Sequence, residues 1–402
     1  MSIRLPSTMK KLFIHQENWW RYYAKEKESI RPAVTDNVIK MLSCGLLVRG
    51  YAMYSCGNEG CTHQKKVPFS CKSRFCPTCG KKLTDQWIET QRTILPDTRW
   101  QHITFTMPQQ VWELIQYNRH LLNPLSGIAA NAIQTMAKKK DVLPGIFTAL
   151  HTFGRDLKWN VHVHLSVTCG GLSKGNTKWK AIYFAKNPIM NLWRYGIINL
   201  LREAYKTGKL MFPEGFYGGN PTPTEFNNWL DEHYQKYWII HFAKPSNNAQ
   251  KNVKYLGRYL KRPALSMSRL KHYDGKEVVF NYLDHRDRQH KQMPCETESF
   301  IKRLVQHIPD KGFRMIRYYG FLANCVRNKR LPTVYNLLDQ PERNALTLRW
   351  PALLQCSFGT DPLKCILCGS RMAFKGVVIG KNRNGLRKLH EKLARGRPIL
   401  AA

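Results

Sequence analysis

The sequence predicts an α+β protein with a central, largely antiparallel sheet flanked by helices, preceded by a small metal-stabilised domain. Strand-like alternation recurs between helical patterns through the middle of the chain, and one clear hairpin signal stands among them. The cysteines are grouped rather than scattered. Strand order does not follow from these patterns.

Taken in order, residues 1–97 hold a helical opening and the first cysteine group, and end at the turn Leu95-Pro96-Asp97. Residues 98–325 hold the alternating elements. His102 to Met107 (HITFTM) reads as a strand stopped by Pro108, and a helical pattern follows through about Lys138. Ile146 to Phe153 and Asn160 to Thr168 read as strands; Tyr237 to Phe242 is an apolar run of strand length closed by Pro245. Ser246 is a candidate cap for a helix running to Pro263. Strand-like runs flank Asp274-Gly275, residue types that suit a type I′ turn. Gly312 to Leu322 adds a further strand. Residues 326–402 form a C-terminal segment with a second cysteine group and a basic tail after Gly380, which is expected to bind DNA non-specifically or to remain solvated.

Composition narrows the partners. The chain has 402 residues, with 64 Lys and Arg against 27 Asp and Glu, a formal charge of +37. A surface that basic repels itself and calls for a polyanion, so nucleic acid is the expected partner. An anionic membrane fits poorly, because the charge runs through the whole chain instead of flanking one amphipathic anchor. No apolar leader opens the chain and no run approaches the ~18 residues of a membrane span. The expected location is the cytoplasm or nucleoid.

Twelve cysteines in a reducing compartment point to metal rather than disulfides. Cys56-x4-Cys61 precedes Cys71-x4-Cys76-x2-Cys79, and tetrahedral zinc takes four soft ligands, commonly as two pairs. The expected zinc set is Cys56, Cys61, Cys76 and Cys79, with Cys71 or His63 able to substitute. Cys44, Cys169, Cys295 and Cys325 stand alone. Cys365-x2-Cys368 with Cys356 forms an incomplete knuckle, suited either to a second Zn²⁺ or to simple packing.

The segment NVHVHLSVT alternates cleanly. Val161, Val163, Leu165 and Val167 share one face of a strand, and His162, His164, Ser166 and Thr168 share the other. Residues i and i+2 lie roughly 6.5–7 Å apart at the backbone, so the two imidazoles can converge on one ion. His151, His285 or an acidic side chain are candidates for a third ligand. In KNVKYLGRYLKRP, Tyr255 and Tyr259 stack on one helical face, between an apolar stripe of Val253, Leu256 and Leu260 and a basic sector that includes Lys254, Arg258 and Arg262. Those cations suit a DNA backbone. Gly257 costs a helix about 1 kcal/mol relative to Ala and is expected to permit close approach of DNA. A phosphodiester resists nucleophiles until a cation neutralises its charge, and a tyrosine hydroxyl needs activation to attack it. A second tyrosine allows two strand ends to be held at once.

The histidine pair followed by YLGRYLKRP resembles the HUH superfamily of rolling-circle enzymes. With SCKSRFCPTCG, HTFGRDLKWNVHVHLSVTCGGL and FIKRLVQHIPDKGFRMIRYYGFLAN, the chain resembles the rolling-circle insertion-sequence transposases of the ninety-one family from roughly Pro32 to Arg371. That resemblance implies an HUH-type catalytic domain and an N-terminal zinc-binding domain. It implies that His162 and His164 hold Mg²⁺ or Mn²⁺, with His151 as the third ligand by a more distant analogy. It further implies that Tyr255 and Tyr259 are nucleophiles forming a 5′-phosphotyrosine on single-stranded DNA at transposon ends. A plasmid or phage replication initiator would share these residues. A zinc-stabilised DNA-binding regulator without catalysis is the alternative from another class.

Overall fold

The computed structural model describes residues 8–247, 253, 257, 264–284 and 287–395. Helices Thr8–Ile14 (α1), Asn18–Glu26 (α2) and Pro32–Ser43 (α3) come first. Pro32 sits in the first turn of α3, where its missing N–H would be unpaired anyway. Gly50–Cys56 (β1) and Gln64–Pro68 (β2) form an antiparallel hairpin, and Pro77–Ile94 (α4) follows with Cys76 at its N-cap. The middle of the chain runs Trp100–Phe105 (β3), Gln109–Tyr117 (α5), Leu122–Lys138 (α6), Val142–Phe153 (β4), Trp159–Ser173 (β5) and Trp179–Ala181 (β6). Lys186–Lys206 (α7), Pro223–Gln235 (α8) and Ile240–Phe242 (β7) continue it. Leu270–Tyr273 (β8), Glu277–Leu283 (β9) and His290–Glu296 (β10) form a meander, then come Thr297–Val305 (α9) and Ile316–Gly320 (β11). Arg327–Leu337 (α10), Trp350–Phe358 (α11), Met372–Ile379 (β12) and Arg383–Ala394 (α12) close the described chain.

The fold is α+β, and every strand pair among the described residues is antiparallel, in line with the expected largely antiparallel sheet. The largest sheet has the order β11-β4-β5-β3-β7 with β6 on β5, and two three-stranded sheets, β10-β9-β8 and β12-β1-β2, stand beside it. The alternation of β5 does what its sequence requires. Val161, Val163, Leu165 and Val167 are buried in one core with Ile103, Phe105, Ile146 and Leu150 and with the apolar sides of α5, α6 and α7. The other face carries Phe147 and Ala149, which pack with Trp87 of α4, Val253, and Val334 and Tyr335 of α10. A separate core joins α1, α2 and α3 to the β8–β10 meander and α9.

Several expectations shift in detail. The strand expected over Tyr237–Phe242 is confined to Ile240–Phe242, with Tyr237 exposed. Ser246, the expected helix cap, pairs its backbone with Trp100 and extends the sheet edge. Most of the helix expected up to Pro263 lies outside the described residues, although Val253 and Gly257 are helical. The hairpin at Asp274-Gly275 exists, but only Gly275 has positive φ (105°), so the turn is not type I′. Asp274 instead accepts bonds from the backbone N–H groups of Lys276 and Glu277. No helix among the described residues is long and apolar enough to cross a membrane.

Gly320 closes β11 with φ +63°, and a Cβ there would lie 1.7 Å from the Pro144 carbonyl oxygen. Gly320→Ala is therefore expected to destabilise the chain by more than about 1 kcal/mol, read as a lower midpoint in urea unfolding.

Candidate active site and metal centres

Three histidines meet on one face of the central sheet. Antiparallel pairing sets His151 of β4 opposite His162 of β5, and Ala149 opposite His164. Directly opposed residues share a face, and His162 and His164 share it through the two-residue period. One ring nitrogen from each lies within 4.8 Å of the others. Ring centroids are 5.3 Å apart for His151 and His162, 4.6 Å for His151 and His164, and 4.8 Å for His162 and His164.

Burial favours the neutral form of His162 and His164, the state that ligates metal. It pushes His162 down to about 4, only partly opposed by the Asn160 carbonyl, to which Nδ1 donates at 3.0 Å. That bond leaves Nε2 of His162 to face the cluster. His164 is held well below the ordinary histidine range, first by burial and then by its histidine neighbours.

A fourth histidine belongs to this assembly and was not singled out from the sequence. His102 of β3 is buried and stacks on His164, with centroids 5.3 Å apart and planes at 20°. Its Nε2 lies 3.2 Å from His164 Nδ1, and Thr104 Oγ1 lies 3.3 Å from the same nitrogen. The alternation of HITF held the signal, since His102 and Thr104 share one face and Ile103 and Phe105 the other.

Tyr255, Tyr259, Lys254, Arg258, Arg262 and His285 lie outside the described residues. Val253 and Gly257, on either side of Tyr255 in sequence, are described. Val253 is buried with Trp87, Phe147 and Ala149. A Cβ on Gly257 would lie 2.4 Å from Ile88 Cγ1 and 3.5 Å from the Trp87 ring. The close approach that Gly257 permits is therefore to α4, a correction to the expectation that DNA fills that space.

The cysteines form two clusters of four, and neither has the expected membership. Cys44, Cys71, Cys76 and Cys79 gather where α3 ends and α4 begins, with all four sulfurs within 4.8 Å of one another. Cys56, Cys61, Cys365 and Cys368 make a second group of the same tightness. The expected set of Cys56, Cys61, Cys76 and Cys79 is thus divided between two places. The seven residues of β1 carry Cys56 roughly 20 Å along a strand, away from the end of α3. Cys71 and the supposedly solitary Cys44 complete the first cluster. In the second, Cys56 and Cys61 take the place expected for Cys356, which lies exposed in α11. His63 is no substitute ligand in the first cluster; its Nδ1 lies 3.2 Å from Cys365 Sγ in the second.

The first cluster fits Zn²⁺. Zn–S bonds of about 2.3 Å in a tetrahedron set sulfur–sulfur edges near 3.8 Å. Cys44 to Cys79 and Cys71 to Cys79 each measure 3.6 Å. The Cys71 backbone N–H points at Cys44 Sγ at 3.4 Å, the kind of bond that steadies a coordinated thiolate.

Comparison with known proteins accounts for both halves. A family model described as "Transposase zinc-binding domain" matches residues 14–107, and one described as "Putative transposase" matches residues 145–330. The transposase for insertion sequence element IS801 of Pseudomonas savastanoi pv. phaseolicola is 39% identical over 396 residues, covering 98% of this chain and 95% of that protein. A protein described as "Putative transposase y4qJ", from Sinorhizobium fredii, is 32% identical over 290 residues, 70% of this chain and 72% of its own. No solved structure matches. A zinc-binding transposase module carrying one complete thiol cluster, joined to a transposase core in the same order along nearly the whole of a known insertion-sequence enzyme, means that this chain belongs to the IS91 family of DNA-processing transposases.

Proposed function

We propose that the chain nicks and rejoins single-stranded DNA at transposon ends through a 5′-phosphotyrosine, and so drives rolling-circle transposition. His151, His162 and His164 would hold Mg²⁺ or Mn²⁺, with imidazole favouring Mn²⁺; the ion's contribution is to neutralise charge on the scissile phosphate. The supporting observation is the packing of Val253 and Gly257. They flank Tyr255 in sequence and lie against α4, and Val253 shares its cluster with Phe147 and Ala149, which stand on the sheet face that carries the histidines.

In this reading the phenol oxygen of Tyr255 or Tyr259 attacks phosphorus. A tyrosyl–phosphorus bond forms as the bond to the 3′ oxygen breaks, and that oxygen leaves as a hydroxyl after the phenol has given up its proton. The phosphodiester energy is kept in the covalent adduct, so a 3′ hydroxyl can later reverse the step and rejoin DNA. Lys254, Arg258 and Arg262 grip backbone phosphates, consistent with the chain's excess of positive charge. The expected setting is the cytoplasm, at the nucleoid.

Incubation with end-bearing single-stranded oligonucleotide and Mn²⁺ should give a protein–DNA adduct that survives a denaturing gel. Tyr255→Phe with Tyr259→Phe should abolish it, and His162→Ala should lower it at least about 10²-fold. A chain that binds the oligonucleotide yet never forms an adduct would be a regulator, and the enzymatic reading would be withdrawn.

His102 tests the geometry more finely. By engaging His164 Nδ1 it orients Nε2 towards the ion, so His102→Ala should raise the Mn²⁺ concentration for half-maximal adduct formation about 10–100-fold. Saturating Mn²⁺ should restore the rate. A loss that Mn²⁺ cannot rescue would make His102 a packing residue only.

A further inference from the structure

We propose that Cys56, Cys61, Cys365 and Cys368 bind a second structural Zn²⁺, which clamps the C-terminal segment onto the N-terminal hairpin. The family model for the zinc-binding domain spans residues 14–107, so it contains one complete cluster and only half of this one. The other half lies far along the chain, with Cys56 and Cys368 separated by 312 positions.

Geometry supports a tetrahedral ion. Cys56 to Cys368 is 3.3 Å and Cys61 to Cys365 is 3.9 Å, either side of the roughly 3.8 Å edge of a tetrathiolate zinc site. Both distances far exceed the ~2.05 Å of a disulfide. Burial does not explain the grouping either. Cys365 is buried, but Cys368 is exposed and Cys56 and Cys61 are only half-buried, so three of the four thiols converge where little apolar area is gained.

Each pair sits on a tight turn built to present sulfur. At the first, Cys61 N–H donates to the Asn58 carbonyl at 3.0 Å, and Asn58 N–H points at Cys56 Sγ at 3.4 Å. At the second, Gly369 N–H donates to the Cys365 carbonyl at 3.1 Å with φ +75°, and Cys365 N–H donates to Ser370 at 2.8 Å. The turns are held together by strand pairing, since Cys56 of β1 opposes Met372 of β12 and Gly57 N–H donates to the Arg371 carbonyl at 3.0 Å. His63 Nδ1 lies 3.2 Å from Cys365 Sγ, where an N–H can support the thiolate while the four sulfurs fill the ion's coordination. Four sulfurs in a tetrahedron accept zinc or iron, and the unshared, turn-held ligands of a small domain favour zinc.

The test counts thiolate-bound zinc in the full chain. After dialysis against a chelator clears weakly held ions, a thiol-specific mercurial releases the remainder for colorimetric assay. The wild-type chain should release two zinc ions, Cys356→Ser and His63→Ala also two, and Cys365→Ser with Cys368→Ser one. The double variant should also free its C-terminal segment to limited proteolysis. One zinc from the wild-type chain, iron in place of zinc, or two zinc ions from the double variant would each overturn the proposal. Should the double variant aggregate, the wild-type count decides alone.

Discussion

Antiparallel pairing of β4 with β5 is the constraint on which the rest of the site depends. It brings His151 level with His162, and it does so only in one register. A slip of one residue would turn Val161, Val163, Leu165 and Val167 out of the core. At about 1.5–3 kcal/mol for each buried aliphatic side chain, that slip would cost on the order of the whole stability of a domain. The apolar face of β5 thus locks the polar face. No separate interaction has to gather the histidines, since hydrophobic burial on one side of the sheet positions the chemistry on the other.

That division explains how buried imidazoles are tolerated. Burial disfavours the charged form of His162 and His164, and neutral imidazole with its outer nitrogen engaged is the form that ligates metal. His102 and Thr104 extend the arrangement onto β3, next to His164. Three adjacent strands, β4, β5 and β3, contribute histidines to one face, so regular secondary structure rather than loops holds the group.

Among the described residues, the N-terminal and C-terminal elements are tied to each other rather than trailing from the central sheet. β12 pairs with β1, Trp19 Nε1 donates to His390 Nε2 at 2.7 Å, and Arg387 meets Asp36 at 2.7 Å. The helical opening also shares its core with the meander that precedes β11. The zinc-binding region is therefore packed together with distant parts of the sequence. Its position relative to the histidine face is set by α4, whose N-terminus carries Cys76 and Cys79 and whose middle presents Trp87 and Ile88 to Val253 and Gly257.

What the sequence determined by itself is local and periodic. The alternation of NVHVHLSVT set which side chains share a face, the cysteine grouping announced metal, and the antiparallel α+β character followed from strands interleaved with helices and a hairpin at Asp274-Gly275. Tertiary structure alone decided which distant groups meet. Cys44 joined Cys71, Cys76 and Cys79 because α3 ends beside the start of α4; Cys365 and Cys368 joined Cys56 and Cys61 because β12 lies along β1. His102 entered the histidine site because β3 chose β5 as its neighbour, and Gly257 met Ile88 because a helix packs there. Spacing along a chain reports contacts within one element, whereas contacts between elements depend on burial summed over whole faces, which no single motif records.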